Sequence, residues 1–120
     1  MFSSILVVDD SPLSRKLVIR ALPPEWQAEV VQAGNGQEAL AVLASRPCDL
    51  VLLDLNMPVM DGYEFLQALE GRTDRPTVIV LSGDIQPLAQ ARVRALGARA
   101  FVKKPLVAEH IRAALAEPQS

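Results

Sequence analysis

A parallel α/β sheet covered by helices on both faces is the fold this sequence predicts, and three observations predict it. Short apolar, β-branched runs alternate with helix-patterned segments five times along the 120 residues. The runs are apolar throughout, not at every second position, so each needs cover on both faces of its sheet, as parallel strands do. No linker, low-complexity stretch or repeat beyond this rhythm interrupts the chain, so residues 1–120 are expected to form one domain.

In order along the chain, the run 4–8 (Ser-Ile-Leu-Val-Val) stops at Asp9-Asp10. Ser11 is placed to cap a helix with Pro12 in its first turn, and Leu13, Leu17 and Ala21 recur at helical spacing until Pro23-Pro24 ends it. Glu29 to Ala33 is the second strand, closed by a Gly34-Asn35-Gly36 turn. Gln37 to Ser45 is a helix with Ala39, Leu40 and Leu43 inward, broken at Arg46-Pro47. The most continuously apolar strand is 49–53. Asp61 caps a helix running through Leu69, with Phe65, Leu66 and Leu69 on one face and Gly71 as its stop. Thr77 to Leu81 is the fourth strand, and Ile85 to Leu96 a helix stopped by Gly97. A short strand, Ala100 to Lys103, and a last helix, Ala108 to Ala116, complete the series.

Composition narrows the function classes. Half the residues are apolar and the formal net charge is -2, which does not suit a chain built to grip nucleic acid or an anionic membrane. One cysteine, Cys48, excludes an internal disulfide and a thiolate metal cluster, and is read as a small apolar residue at a strand mouth. No apolar run reaches the ~18 residues of a spanning helix, and no signal peptide is evident, so the cytoplasm is the expected compartment.

In an open parallel sheet, ligands bind beyond the carboxyl ends of the strands. Strand one ends in Asp9-Asp10, strand three in Asp54, strand four in Ser82 and strand five in Lys103-Lys104, while strand two ends in Gly34 without an ionisable group. Three carboxylates, a hydroxyl and an ammonium therefore meet at one edge. Clustered carboxylates repel, and a divalent cation relieves that repulsion. All-oxygen donors with room for water suit magnesium over zinc. With metal and lysine neutralising incoming phosphoryl oxygens, a carboxylate here can act as a nucleophile and become an aspartyl phosphate. Asp54, central in the group, is the candidate acceptor, and Ser82 can donate to a phosphoryl oxygen.

At these residues the chain resembles the receiver domain of two-component response regulators, chemotaxis-type regulators among them. The stretches 5–10 (Ile-Leu-Val-Val-Asp-Asp), 52–62 (Leu-Leu-Asp-Leu-Asn-Met-Pro-Val-Met-Asp-Gly), 80–83 (Val-Leu-Ser-Gly) and 101–105 (Phe-Val-Lys-Lys-Pro) carry the likeness. The resemblance implies a flavodoxin-like, doubly wound five-stranded sheet of order 2-1-3-4-5. It implies that Asp54 accepts a phosphoryl group from a histidine kinase or a histidine phosphotransfer protein. Asp10, Asp54 and the Asn56 carbonyl would bind Mg2+ directly, with Asp9 acting through water. Lys104 would pair with the phosphoryl group, and Lys103, matching no family role, is read as solvated. Ser82 and Phe101 would form the switch pair, the ring turning inward as the hydroxyl moves. The face made by the fourth helix, fifth strand and fifth helix would then change its affinity for an effector protein, a fused output domain or a second copy of the chain. Such a chain is a phosphorelay switch and not an enzyme for an outside substrate. Asn56 and Asp84 resemble the pairing in fast-hydrolysing receivers, so the phosphorylated state is expected to be short-lived.

Two rivals share parts of this pattern. A magnesium-dependent phosphohydrolase also forms an aspartyl phosphate, but wants a general acid two residues after the nucleophile, where this chain has Asn56. A flavodoxin wants a Ser/Thr/Gly-rich phosphate loop after strand one, where Asp9-Asp10 would repel a flavin phosphate. Among residues outside the cluster, His110 is read as a surface or interface histidine and Trp26 as partly buried against the shell. Arg92, Arg94 and Arg99 are read as solvated surface, with the output face as the alternative. Arg15, Lys16 and Arg20 give the first helix a basic side suited to docking a phosphodonor. The tail 117–120 is read as a chain or domain end.

Overall fold

The computed structural model describes residues 2–83 and 86–116. Five strands, β1 (Ser4–Val8), β2 (Glu29–Ala33), β3 (Leu50–Asp54), β4 (Thr77–Ser82) and β5 (Ala100–Lys103), alternate with five helices. The helices are α1 (Pro12–Arg20), α2 (Gly36–Ser45), α3 (Gly62–Ala68), α4 (Pro87–Ala95) and α5 (Ala108–Ala116). All strand pairs are parallel and the order is β2-β1-β3-β4-β5, as the resemblance implies.

Strand alternation divides the core in two. Leu6, Val8, Val51, Leu53, Val78 and Val80 pack against Ala39 of α2, Phe65 and Leu66 of α3 and Val93 of α4. The intervening Ile5, Val7, Leu50, Leu52, Ile79 and Leu81 pack against Val18 of α1 and Ile111 and Ala114 of α5. Both faces of every central strand are thus covered, which is why those strands are apolar at consecutive positions. Burial of each such side chain contributes roughly 1.5–3 kcal/mol. Trp26 is buried rather than half-buried: it joins the second core layer, edge to face with Phe2 at 5.2 Å between centroids. Cys48 is buried and accepts a weak contact from the Ser4 hydroxyl at 3.6 Å.

Helix ends follow local chemistry. Ser11 caps α1 by accepting from the Ser14 N–H, and Asp61 caps α3 in a reciprocal box with Glu64. The stop of α4 at Gly97 has φ +99°, and the Arg75 guanidinium occupies the space a Cβ would need while donating to the Leu96 carbonyl at 2.7 Å. One sequence reading is corrected. Leu13 and Leu17, the apolar stripe of α1, are 65% and 54% exposed, and Val18 is the residue that faces the sheet. The predicted start of the fourth helix at Ile85 and the tail 117–120 lie outside the described residues.

Gly62 positions the site directly. A Cβ there would stand 2.8 Å from both the Asp54 carbonyl oxygen and Leu55 Cα, and the Gly62 N–H donates to the Leu55 carbonyl at 3.0 Å. Backbone cannot yield as a flexible side chain does. Gly62→Ala is expected to destabilise the fold by about 2–3 kcal/mol, read as a lowered urea midpoint with an unchanged slope.

Candidate functional site

The carboxyl ends of β1, β3, β4 and β5 bring Asp9, Asp10, Asp54, Ser82 and Lys104 to one edge of the sheet. One carboxylate oxygen from each of Asp9, Asp10 and Asp54 lies within 4.8 Å of the others, a donor set that could hold a metal ion. Asp9, Asp54 and Ser82 are buried, whereas Asp10 faces solvent. This is the edge at which the strand ends were expected to bring them together.

Asp9 is held on every side. Its Oδ1 accepts the Ser11 N–H at 3.0 Å; its Oδ2 accepts the Ser14 hydroxyl at 2.5 Å and the Lys104 ammonium at 2.7 Å. Burial alone would push its pKa up, but the hydrogen bonds from Lys104, Ser14 and Ser11 outweigh burial and hold it below the ordinary range. Asp54 is shifted the other way. Burial pushes its pKa up, and the neighbouring charges of Asp9 and Asp10 add to this; the Lys104 charge and the Asn56 N–H oppose without winning. The Lys104 ammonium stands 3.6 Å from Asp54 Oδ1, so one cation spans two of the three carboxylates.

Lys104 reaches that position because β5 runs beside β4, and its N–H donates to the Ser82 carbonyl at 2.8 Å. The Lys104–Pro105 peptide is cis. Lys103 is exposed, as expected, and Phe101 is half-buried against the layer that holds Tyr63 and Leu96. Asn56 is exposed, in the loop between β3 and α3. Farther along that loop Val59 has φ +70° within a turn closed by the Met60 N–H on the Pro58 carbonyl, the strained form of the γ-turn. Asp84, the second expected lifetime residue, lies outside the described residues.

Several basic residues do more than the sequence suggested. Arg15, expected on the basic side of the first helix, donates to the Asp9 carbonyl at 2.6 Å and to Gln32 at 2.9 Å, bracing the loop that carries the acids. Lys16 and Arg20 are exposed. Arg92 lies over the Tyr63 ring at 3.9 Å, a cation–π contact joining α4 to α3, and Arg99 donates to the Leu115 carbonyl at the end of α5. Arg94 and His110 are exposed as read. Ser14 escaped the sequence reading altogether. Its only signal is its place one turn into the helix that follows Asp9-Asp10, where a serine is otherwise unremarked.

Residues 5–116 match the family model described as response regulator receiver domain. A probable chemotaxis protein CheY of Rhizobium etli is 34% identical over 113 residues, covering 92% of this chain and 88% of the relative. A protein-glutamate methylesterase/protein-glutamine glutaminase of a Nocardioides species is 41% identical over 84% of this chain, but the match spans only 28% of that larger protein. Among solved structures, Vibrio cholerae chemotaxis protein CheY4 superposes with TM-score 0.83 at 31% identity, covering 96% of this chain and 97% of that one. A response regulator from Burkholderia pseudomallei, solved with a phosphorylated aspartic acid and a calcium ion, gives TM-score 0.81 at 25% identity over 94% of this chain and 66% of that one. These matches do not favour the phosphohydrolase alternative, and no described helix is long and apolar enough to cross a membrane. An acid pocket at the edge of a 2-1-3-4-5 sheet and a family match over almost its whole length lead to one conclusion: this chain belongs to the receiver domains of two-component response regulators.

Proposed function

We propose that Asp54 is the phosphoacceptor of this receiver and that Mg2+ is held by Asp10, Asp54 and the Asn56 carbonyl, with Asp9 acting through water. The observation that carries this reading is the placement of Asp54. It ends the central strand, buried, with the Lys104 ammonium 3.6 Å from its Oδ1 and the Asp9 and Asp10 carboxylates within 4.8 Å. The donor set fits a hard divalent cation: it is all oxygen, crowded with negative charge and open to water at Asp10. When bound, magnesium supplies charge neutralisation for the acceptor and for the phosphoryl oxygens.

An Asp54 carboxylate oxygen attacks the phosphorus of a phosphohistidine. The new O–P bond forms as the N–P bond breaks, and the imidazole nitrogen leaves with the bonding pair and takes up a proton. Lys104 holds the transferred oxygens as a point charge, and Ser82, at the end of β4, donates its hydroxyl to them. Exposed Leu13 and Leu17 lie beside Lys104 in an apolar groove, and Lys16 and Arg20 are exposed on the same helix. Together they support docking of a histidine kinase or histidine phosphotransfer protein there. The phosphoryl group brings close to two negative charges, which Ser82 and Lys104 read and Phe101 relays to the α4–β5–α5 face. An effector protein, a fused output domain or a second copy of the chain is the reader. The cytoplasm is the compartment in which such a relay works, and the phosphorylated state is short-lived. Beryllofluoride with magnesium is expected to shift the amide resonances of Phe101 and of residues around Arg92, and EDTA to reverse the change. Shifts confined to the vicinity of Asp54 would contradict the switch.

A further inference from the structure

We infer that Ser14 is a positioning residue for phosphoryl transfer: it fixes the Lys104 ammonium beside Asp54 with one N–H left over. The inference rests on the proposal that Asp54 is the acceptor.

Directions of the hydrogen bonds follow from donor inventory. A lysine ammonium has only donors and an ionised carboxylate only acceptors, so a hydroxyl between them must accept from the first and donate to the second. Ser14 Oγ stands 3.2 Å from Lys104 Nζ and 2.5 Å from Asp9 Oδ2. Its single proton therefore goes to Asp9, and a lone pair faces Lys104. The ammonium spends one N–H on Asp9 Oδ2 at 2.7 Å and a second on Ser14. One N–H is left over, and Asp54 Oδ1 stands 3.6 Å from the same nitrogen. That separation exceeds a hydrogen bond and keeps the ammonium beside the acceptor without being consumed by it. Without the hydroxyl, the ammonium keeps its hydrogen bond to Asp9 but loses the second anchor that holds the nitrogen at this distance from Asp54.

The same hydroxyl takes up a lone pair of Asp9 Oδ2, which its removal would leave open to water. Its removal therefore acts on magnesium and on phosphoryl transfer in different directions. A lesion that merely loosened the pocket would weaken both. Ser14 also lines the open groove of about 470 Å³ beside α1, so the extra methyl of threonine has room while the hydroxyl is retained.

Three proteins are compared: the wild type, Ser14→Ala and Ser14→Thr. Magnesium affinity is measured by calorimetry with MgCl2, and the rate of labelling by acetyl phosphate at saturating magnesium by intact mass. For Ser14→Ala, magnesium affinity is expected to be held or to tighten by up to about threefold, while labelling slows by roughly tenfold. Ser14→Thr is expected to restore the rate to within about twofold of the wild type. An unchanged rate in Ser14→Ala overturns the inference, and so does a parallel loss of magnesium affinity and rate, or a threonine variant no better than alanine. If the wild type itself takes no label, the acceptor reading fails and the inference falls with it. A labelled wild type with an unaffected alanine variant removes the inference alone.

Discussion

Asp10→Ala is expected to weaken magnesium binding by at least about tenfold, and Asp9→Ala by only a few-fold, as measured by calorimetry at constant ionic strength. Although the two residues are adjacent, their surroundings differ. The Asp10 carboxylate is exposed and takes no hydrogen bond among the described residues, so its oxygens are available to a cation. Asp9 already accepts from Ser11, Ser14 and Lys104, and a cation must compete with a salt bridge in place. A larger loss in the Asp9 variant would reverse the two roles.

Asp54→Asn is expected to stabilise the metal-free protein, by on the order of 1 kcal/mol or a few degrees in Tm at neutral pH. The wild-type carboxylate is buried beside two others, and its pKa is raised above the ordinary 3.8. As pH rises from 3.8 towards the folded-state value, the unfolded chain releases this proton before the folded chain does. Folding is therefore weakened across that window, and the penalty is constant above it. The gap between variant and wild type should be absent below pH 3.8, open through the window and then level off. Asp9 titrates in the opposite sense: its lowered pKa gives stability that is lost as pH falls through the folded value. Millimolar magnesium should close or invert the gap, because the wild type binds the ion more strongly. Thermal melts across pH, with MgCl2 and with EDTA, measure all of this. A variant less stable than the wild type at neutral pH without metal would contradict the electrostatic account.

Much of this arrangement was legible in the chain. β3 is apolar at every position because both its faces are covered, and that pattern alone placed Asp54 at a sheet edge. The acid pair, Ser82 and the lysine pair followed from the same rule about strand ends. Lys104 was separated from Lys103 by resemblance, and the structure supplies the reason: one reaches Asp9 and the other is exposed. Helix phase was less legible. A stripe of Leu13 and Leu17 marks a helix but does not say which stripe meets the sheet, and here Val18 does. Ser14 and Arg15 act through contacts that the fold alone creates, with Lys104 ninety residues away in sequence and with the Asp9 carbonyl. Nothing in their immediate neighbourhood announces them. Arg92 and Arg99 likewise looked like surface charge until α3 and α5 were in place.

Intact-mass spectrometry of wild type and Asp54→Asn after incubation with acetyl phosphate and MgCl2 decides whether Asp54 carries the phosphoryl group. The wild type should gain one phosphoryl group, lost on adding EDTA before the donor, and the variant should gain none. Equal labelling of the two proteins would contradict the assignment of Asp54.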